Sequence, residues 1–141
     1  MLVLYCKRGM DISVGKLGDF SFVRGWYLYV GSAFGPGGVA ARCRHHRQVS
    51  ARPRWHIDYL RAVCDLREIW FTHDPVPREH LWAERLTSKL GLPSPVHGFG
   101  ASDCGCGSHL FFSAVKPNGK RFQALASCEY PAELPVYCEF V

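Results

Sequence analysis

The chain has 141 residues, of which 48% are hydrophobic and 21% charged, and a formal net charge of +5. A chain of this length buries roughly two-thirds of its unfolded surface, so we expect one compact domain. No apolar run approaches the roughly 18 residues that a membrane span needs, which predicts a soluble protein. Charge comes too early in the first segment for a secretory signal, and we expect a cytoplasmic protein.

The cysteine count bears on the redox state. Seven cysteines are an odd number on a chain with no export signal. Such a composition is typical of reduced thiols rather than of a disulfide framework.

Basic residues are concentrated in one segment. Between Asp19 and Asp58 there is no acidic residue, and arginine dominates. Its planar guanidinium suits phosphate better than a lysine ammonium does. A solvated basic face and a surface that binds a polyanion both remain open. The arginines of this segment are Arg24, Arg42, Arg44, Arg47, Arg52 and Arg54.

The first part of the chain favours short strands over residues 2–6, 12–14, 20–22 and 26–30, separated by glycine-containing turns. In the last of these strands, the period of two places Tyr27 and Tyr29 on one face. Trp26, Leu28 and Val30 then occupy the other face. The two phenol groups should therefore project the same way.

A helix is predicted over residues 39–48. Val39, Arg42, Cys43 and His46 follow the i, i+3, i+4, i+7 spacing of one helix face. Arg42 and His46 therefore share the stripe that faces the core or a cleft.

Residues 55–63 favour a second helix, residues 66–72 a strand and residues 78–90 the clearest helix. The apolar stripe of that last helix extends back by one turn onto Glu79. A carboxylate on the buried side of a helix is unusual. It is either a core group paired with Arg42 or a ligand for Mg²⁺ or Mn²⁺, which take few protein carboxylates.

These side chains suit phosphodiester hydrolysis. Arg42 would stabilise the charge that builds on the phosphorus oxygens, and His46 would orient water or pass a proton. Tyr29 and Tyr27 would position the attacking water. For each of them, packing or ion pairing is the alternative.

The last third of the chain holds a glycine-rich loop over residues 98–107 and a strand over residues 110–115, and residues 116–141 are expected to form an irregular tail with one or two edge strands. Cys104, Cys106 and His109 have the spacing of soft metal ligands. They either hold structural zinc or are thiols in a tight loop. The residues that could supply a fourth ligand are His97, Asp103 and His56.

Together these segments resemble the GIY-YIG nuclease superfamily. Tyr29-Val30-Gly31 is similar to its second signature, Arg42 to its helix arginine and Glu79 to its metal-binding glutamate. His46 stands where many members carry a histidine. The blocks at residues 14–18, 25–33, 55–60 and 98–111 resemble the Uri branch of the superfamily.

The resemblance implies an α/β (α+β) domain over residues 1–115, with a central antiparallel sheet flanked by helices and residues 116–141 on the same domain. It also implies divalent-metal cleavage of nucleic acid, with DNA favoured over RNA and Mg²⁺ or Mn²⁺ at Glu79. The expected catalytic residues are Tyr29, Arg42, His46, Glu79 and Tyr27. Those expected to hold nucleic acid are Arg44, Arg47, Arg52, Arg54 and Ser32.

Two features depart from that pattern. The first signature, Gly-x-Tyr, is missing, and Leu2 stands at the position of its tyrosine. Either Tyr27 or a residue from a longer natural start fills that role, or catalysis is impaired. The late asparagine is also missing after the Glu79 helix. Two alternatives therefore stay open: a nucleic-acid-binding module of the same fold without the reaction, and a zinc-stabilised interaction protein.

Overall fold

The structure, a computed structural model, describes residues 1–129 and 132–141. Short strands alternate with helices along the chain. In order, the elements are β1 (Leu2–Cys6), β2 (Met10–Ser13), β3 (Asp19–Phe22), β4 (Gly25–Tyr29), α1 (Gly38–Arg47), α2 (His56–Arg61), β5 (Asp65–Phe71), α3 (Glu79–Ser88), β6 (Leu110–Ser113), α4 (Gly119–Glu129) and β7 (Tyr137–Phe140).

Five of the strands form one antiparallel sheet in the order β6-β4-β1-β5-β7. Strands β2 and β3 form a separate hairpin. The predicted fold class, a small α+β domain with an antiparallel sheet flanked by helices, is confirmed. Among the described residues, every helix is too short or too polar to cross a lipid bilayer.

The central strand, β1, is apolar on both faces because helices cover both sides of the sheet. On one side, Leu2 and Leu4 pack with the tyrosines of β4 and with apolar residues of α1 and α2. On the other side, Val3 packs with Leu28 of β4 and with α3 and α4. The predicted alternation along β4 is therefore confirmed. The sheet holds α1 and α3 on opposite faces.

The C-terminal segment is more regular than predicted, because residues 119–129 form α4. Asn118 caps this helix by accepting a hydrogen bond from the Arg121 amide at 3.1 Å, and Phe122 anchors it in the core. Gly119 is required there, since a Cβ would lie 2.6 Å from Cys138 Sγ. The expected edge strand is β7. Residues 130 and 131, which belong to the same predicted tail, lie outside the described residues.

Two cysteines are joined, contrary to the expectation of reduced thiols. Cys6, at the end of β1, forms a disulfide with Cys64, which follows α2. Both are buried, so the bond ties the sheet to the helix layer within the core. Distant positions in the chain meet here, which an odd cysteine count does not reveal.

Candidate active site

A cleft of about 360 Å³ opens at one end of the sheet. Leu2 at the start of β1, Tyr29 at the end of β4 and Phe71 at the end of β5 line it. Antiparallel pairing brings these strand ends together. Because helices lie on both faces of the sheet, α1 and α3 reach this end from opposite sides.

The cleft collects four of the five predicted catalytic residues. Tyr29 comes from β4, Arg42 and His46 from α1, and Glu79 from the first turn of α3. Their positions in the chain span 50 residues, so only the tertiary fold brings them together.

Tyr27 lies outside the cleft. Its hydroxyl donates to the Val23 carbonyl and accepts from the Val23 amide, both at 2.9 Å, and its ring is buried against Phe22 and Phe112. These two hydrogen bonds hold the hydroxyl against the backbone of Val23. In the first-signature position, Leu2 pairs directly with Tyr29 across the strands and faces the cleft with an apolar side chain.

Tyr29 is held rigidly. Its ring packs edge-on against Phe99, and a Cβ at Gly100 would lie 2.7 Å from that ring, so only glycine permits the approach. Burial raises the pKa of Tyr29 to about 12, although the positive charge of Arg42 acts in the opposite direction. The phenol is therefore protonated at neutral pH.

Arg42 is half-buried and stacks on an aromatic platform. Its guanidinium carbon lies 4.1 Å from the centre of the Trp55 ring. No ion pair joins Arg42 to Glu79 in the part of the chain that the structure describes, although the sequence left that pairing open. The guanidinium therefore lines the cleft without being neutralised by Glu79.

His46 is buried at the side of the cleft. Burial first, and then the charges of Arg42 and His45, lower its pKa to about 3. Its Nδ1 is buried with no hydrogen-bond partner among the described residues. The imidazole is therefore neutral at physiological pH.

Glu79 is the carboxylate of the cleft that faces solvent, with 20% of its side chain exposed. Its Oε1 lies 3.0 Å from Nδ1 of His109. The angle there is unsuitable for a hydrogen bond, so Nδ1 of this buried ring has no hydrogen-bond partner in the described chain. The Glu79 side chain also lines the cleft.

A second acidic residue of the cleft, Asp74, is fully engaged by its neighbours. It accepts hydrogen bonds from the Val76 amide at 2.9 Å, from the Leu134 amide at 3.1 Å and from Arg78 Nε at 3.0 Å. Burial alone would raise its pKa, but these donors hold the pKa below its usual value. Glu79 is therefore the carboxylate with free capacity for a cation.

The residues expected to hold nucleic acid fall in two groups. Ser32 lines the cleft, and its hydroxyl accepts a hydrogen bond from the Phe34 amide at 3.2 Å. The basic residues lie outside the cleft on an exposed surface formed by α1 and the loop after it, where Arg47 pairs with Glu139 of β7. The exposed arginines are Arg44, Arg47, Arg52 and Arg54.

A second cluster lies behind Glu79. Cys104, Cys106 and His109 meet there as their spacing predicts, and His80 of α3 joins them. All four ligand atoms lie within 4.8 Å of one another. We refer to these four residues as the Cys–His cluster.

None of the three residues proposed as a fourth ligand belongs to that cluster. His56 instead accepts a hydrogen bond from the Gly100 amide at 3.0 Å.

A further group, His45, His46 and Asp58, also lies close enough to hold an ion. Asp58 is committed elsewhere, however, because its carboxylate caps α2 through the Arg54 and Trp55 amides.

The sequence analysis missed two residues of this region. Trp55 begins the segment predicted as the second helix, so nothing in the sequence indicated that its ring would contact Arg42 of α1. His80 directly follows Glu79, and its place beside a predicted metal ligand could have identified this histidine as a candidate ligand. Its partners lie more than 20 residues away in the chain.

Comparison with known proteins gives one match. The family model described as "Domain of unknown function DUF123" matches residues 1–129. No curated protein and no solved structure matches the chain.

Proposed function

The chain belongs to the DUF123 family, and we propose that it is a divalent-metal-dependent endonuclease that hydrolyses phosphodiester bonds in nucleic acid, with DNA preferred to RNA. We assign it to the Uri branch of the GIY-YIG superfamily, which it resembles. The observation that carries this proposal is the convergence of Tyr29, Arg42, His46 and Glu79 on one cleft.

The donor set fits a hard divalent cation held weakly by the protein. Glu79 offers carboxylate oxygen at the cleft surface, while Asp74 is saturated by its own donors. Mg²⁺ is usually bound through one or two carboxylates, with water and substrate phosphate completing its shell. When bound, such an ion supplies charge neutralisation at the phosphate and lowers the pKa of a water molecule.

Arg42 is placed to bind the scissile phosphate. Hydrolysis forms a bond from the water oxygen to phosphorus and breaks the bond to the leaving oxygen, so negative charge increases on the phosphate oxygens. A guanidinium already oriented by Trp55 stabilises that charge without reorganising. Arginine is also suited to phosphate by its planar fork of donors.

Tyr29 and His46 have protonation states that suit positioning rather than proton removal. With a pKa of about 12, the Tyr29 hydroxyl donates a hydrogen bond at neutral pH. With a pKa of about 3, His46 is a weak base whose neutral ring accepts one. We assign both to orienting the attacking water. A cation held at Glu79 would lower the pKa of that water, whose proton would pass to bulk solvent.

Nucleic acid beyond the scissile bond would lie on the exposed arginines of α1 and of the loop after it. No acidic residue lies among them in the sequence, which favours a phosphate backbone there, although Glu139 would compete for Arg47. Zinc at Cys104, Cys106 and His109 is a separate proposal, because it concerns soft ligands outside the cleft.

Glu79→Gln tests the proposal, since it removes the metal-binding charge while keeping the size of the side chain. With Mg²⁺ or Mn²⁺ and a panel of duplex, branched and single-stranded DNA and RNA, we expect cleavage to fall about 10²–10⁴-fold, as removal of metal stabilisation worth several kcal/mol predicts. Affinity for nucleic acid should stay nearly unchanged.

The matched control is Glu84→Gln, a change of the same chemistry on the exposed face of α3, which should leave cleavage intact. Full metal-dependent cleavage by the Glu79→Gln variant would refute the assignment. If the wild-type chain binds the panel and cuts none of it, the protein is the binding module of the same fold, with Leu2 in place of the missing tyrosine.

A further inference from the structure

The Cys–His cluster brings together four metal-binding side chains from two distant parts of the chain. Three come from the loop before β6 and the fourth, His80, from the first turn of α3. His80 Nδ1 lies 3.0 Å from Cys106 Sγ, and Cys104 Sγ lies 3.6 Å from His109 Nε2. These four donors therefore face one another across a small space.

That spacing is close to the one a tetrahedral zinc ion requires. Zn–S bonds of about 2.3 Å and Zn–N bonds of about 2.0 Å place neighbouring ligand atoms roughly 3.3–3.8 Å apart. Of the two observed sulfur–nitrogen separations, 3.6 Å lies within that range and 3.0 Å just below it, and all four atoms lie within 4.8 Å of one another. Only small side-chain adjustments separate the cluster from a bound state.

The chemistry of the donors selects the metal. Two thiols and two imidazoles are soft and borderline ligands, which favour zinc over the oxygen-seeking Mg²⁺ and Mn²⁺. A set of four protein ligands leaves no open position, which is typical of structural rather than catalytic zinc. The cluster therefore differs in kind from the single carboxylate at the cleft.

We propose that His80, Cys104, Cys106 and His109 bind one structural Zn²⁺ that fastens the loop before β6 to the first turn of α3. The start of α3 needs such support, because Arg78 at its N-cap makes no capping side-chain hydrogen bond. The loop carries Gly105 and Gly107 between its ligands, so its backbone is also weakly constrained without the metal.

The zinc site has a consequence for Glu79. With Nε2 of His109 on the metal, its proton resides on Nδ1, the atom that lies 3.0 Å from Glu79 Oε1. This contact lacks hydrogen-bond geometry in the structure. A small rotation of the ring on binding zinc would let the Nδ1–H donate to Glu79, the arrangement by which a carboxylate orients a zinc-bound histidine. The ion then sets the direction of the carboxylate at the cleft, a consequence that rests on the proposed function.

Metal content and cobalt spectroscopy of the full chain test the site without reference to cleavage. Protein produced with zinc and passed through metal-free buffer should retain about one zinc per chain. Replacement by Co²⁺ should give the intense visible bands of a tetrahedral ion and a sulfur-to-cobalt charge-transfer band, both abolished when Zn²⁺ is added. The cobalt experiment uses the wild-type chain and so does not depend on a variant that folds.

Variants then identify the ligands. The double change Cys104→Ser, Cys106→Ser should lower zinc to below about a tenth of an equivalent. His80→Gln should weaken zinc binding at least about 10–100-fold, the loss seen even for residues outside the coordination shell. His97→Gln, an exposed histidine near the loop but outside the cluster, should keep full affinity.

Three results would overturn the proposal: wild-type protein with less than a tenth of an equivalent of zinc and no tetrahedral cobalt spectrum, iron in place of zinc, or full zinc affinity in His80→Gln. Glu79→Gln separates this proposal from the nuclease, because it should lose cleavage and keep zinc. A wild-type chain that binds zinc but cleaves nothing would support the zinc site and contradict the nuclease proposal. Glu79-dependent cleavage by a chain without zinc would support the nuclease and contradict the zinc site.

Discussion

Glu79 and His80 are adjacent in the chain and belong to the same helical turn, yet they serve two regions of opposite chemistry. Glu79 lines an open cleft with Arg42, and 20% of its side chain is exposed. His80 contacts Cys106 in the cluster behind it. The cleft contains one carboxylate that its neighbours leave partly exposed, whereas the cluster contains four soft or borderline donor atoms within 4.8 Å of one another.

Under the two proposals, one turn of helix carries a ligand of an exchangeable cation and a ligand of a permanent one. A metal held by one carboxylate dissociates readily until a phosphate joins it. A four-coordinate zinc contributes its binding energy to the folded state. Zinc bound to the Cys–His cluster would therefore stabilise the turn that carries Glu79.

Removing loosely bound metal should produce the largest difference between the cleft and the Cys–His cluster. After gel filtration in buffer treated with chelating resin, we expect cleavage to fall to background and about one zinc to remain, because Glu79 alone holds Mg²⁺ weakly. Addition of Mg²⁺ or Mn²⁺ should restore cleavage. Activity that persists without either ion, or that returns with zinc alone, would contradict the division between the two sites.

Loss of the platform under Arg42 should affect only the cleft. A cation–π contact at 4.1 Å is worth about 0.5–2 kcal/mol, so Trp55→Ala should slow cleavage about 2- to 30-fold while zinc content stays constant. Trp55→Phe should retain most of the rate, because it keeps an aromatic face. Val49→Ala, at an exposed position near the same loop, is the control, and equal rates for Trp55→Ala and wild type would exclude the platform role.

The buried, neutral His46 should leave a signature in the pH dependence of stability. Its folded pKa of about 3 is below the unfolded value of about 6.5, so below pH 6.5 the unfolded chain binds a proton that the folded chain does not. Stability therefore falls as the pH decreases through this range.

Denaturant unfolding at pH 7 and pH 5 measures the effect. The free energy of unfolding should drop more in wild type than in His46→Gln, by up to about 2 kcal/mol. His97→Gln, with its exposed ring, should behave like wild type. The same drop in wild type and in His46→Gln would show that this ring is not held neutral by the fold.

Local pattern was enough to place most elements. Alternation along residues 26–30 predicted which face of β4 carries the tyrosines, and helical spacing predicted that Arg42 and His46 share one side of α1. Helix α4 escaped prediction because Pro117 and Gly119 are turn residues and the apolar stripe behind them is short. Asn118, which caps α4, was the remaining feature of the sequence that indicated the start of a helix.

Most of the helices and strands, and the faces on which the candidate residues lie, could therefore be predicted from the sequence, because these depend on periodicities of two and 3.6 residues within one segment. Tertiary structure alone decided which of those faces meet. It turned Tyr27 onto the Val23 backbone, paired Cys6 with Cys64 and placed His80 against Cys106. Such contacts depend on strand order and on which helix covers which side of the sheet, and no local pattern encodes either.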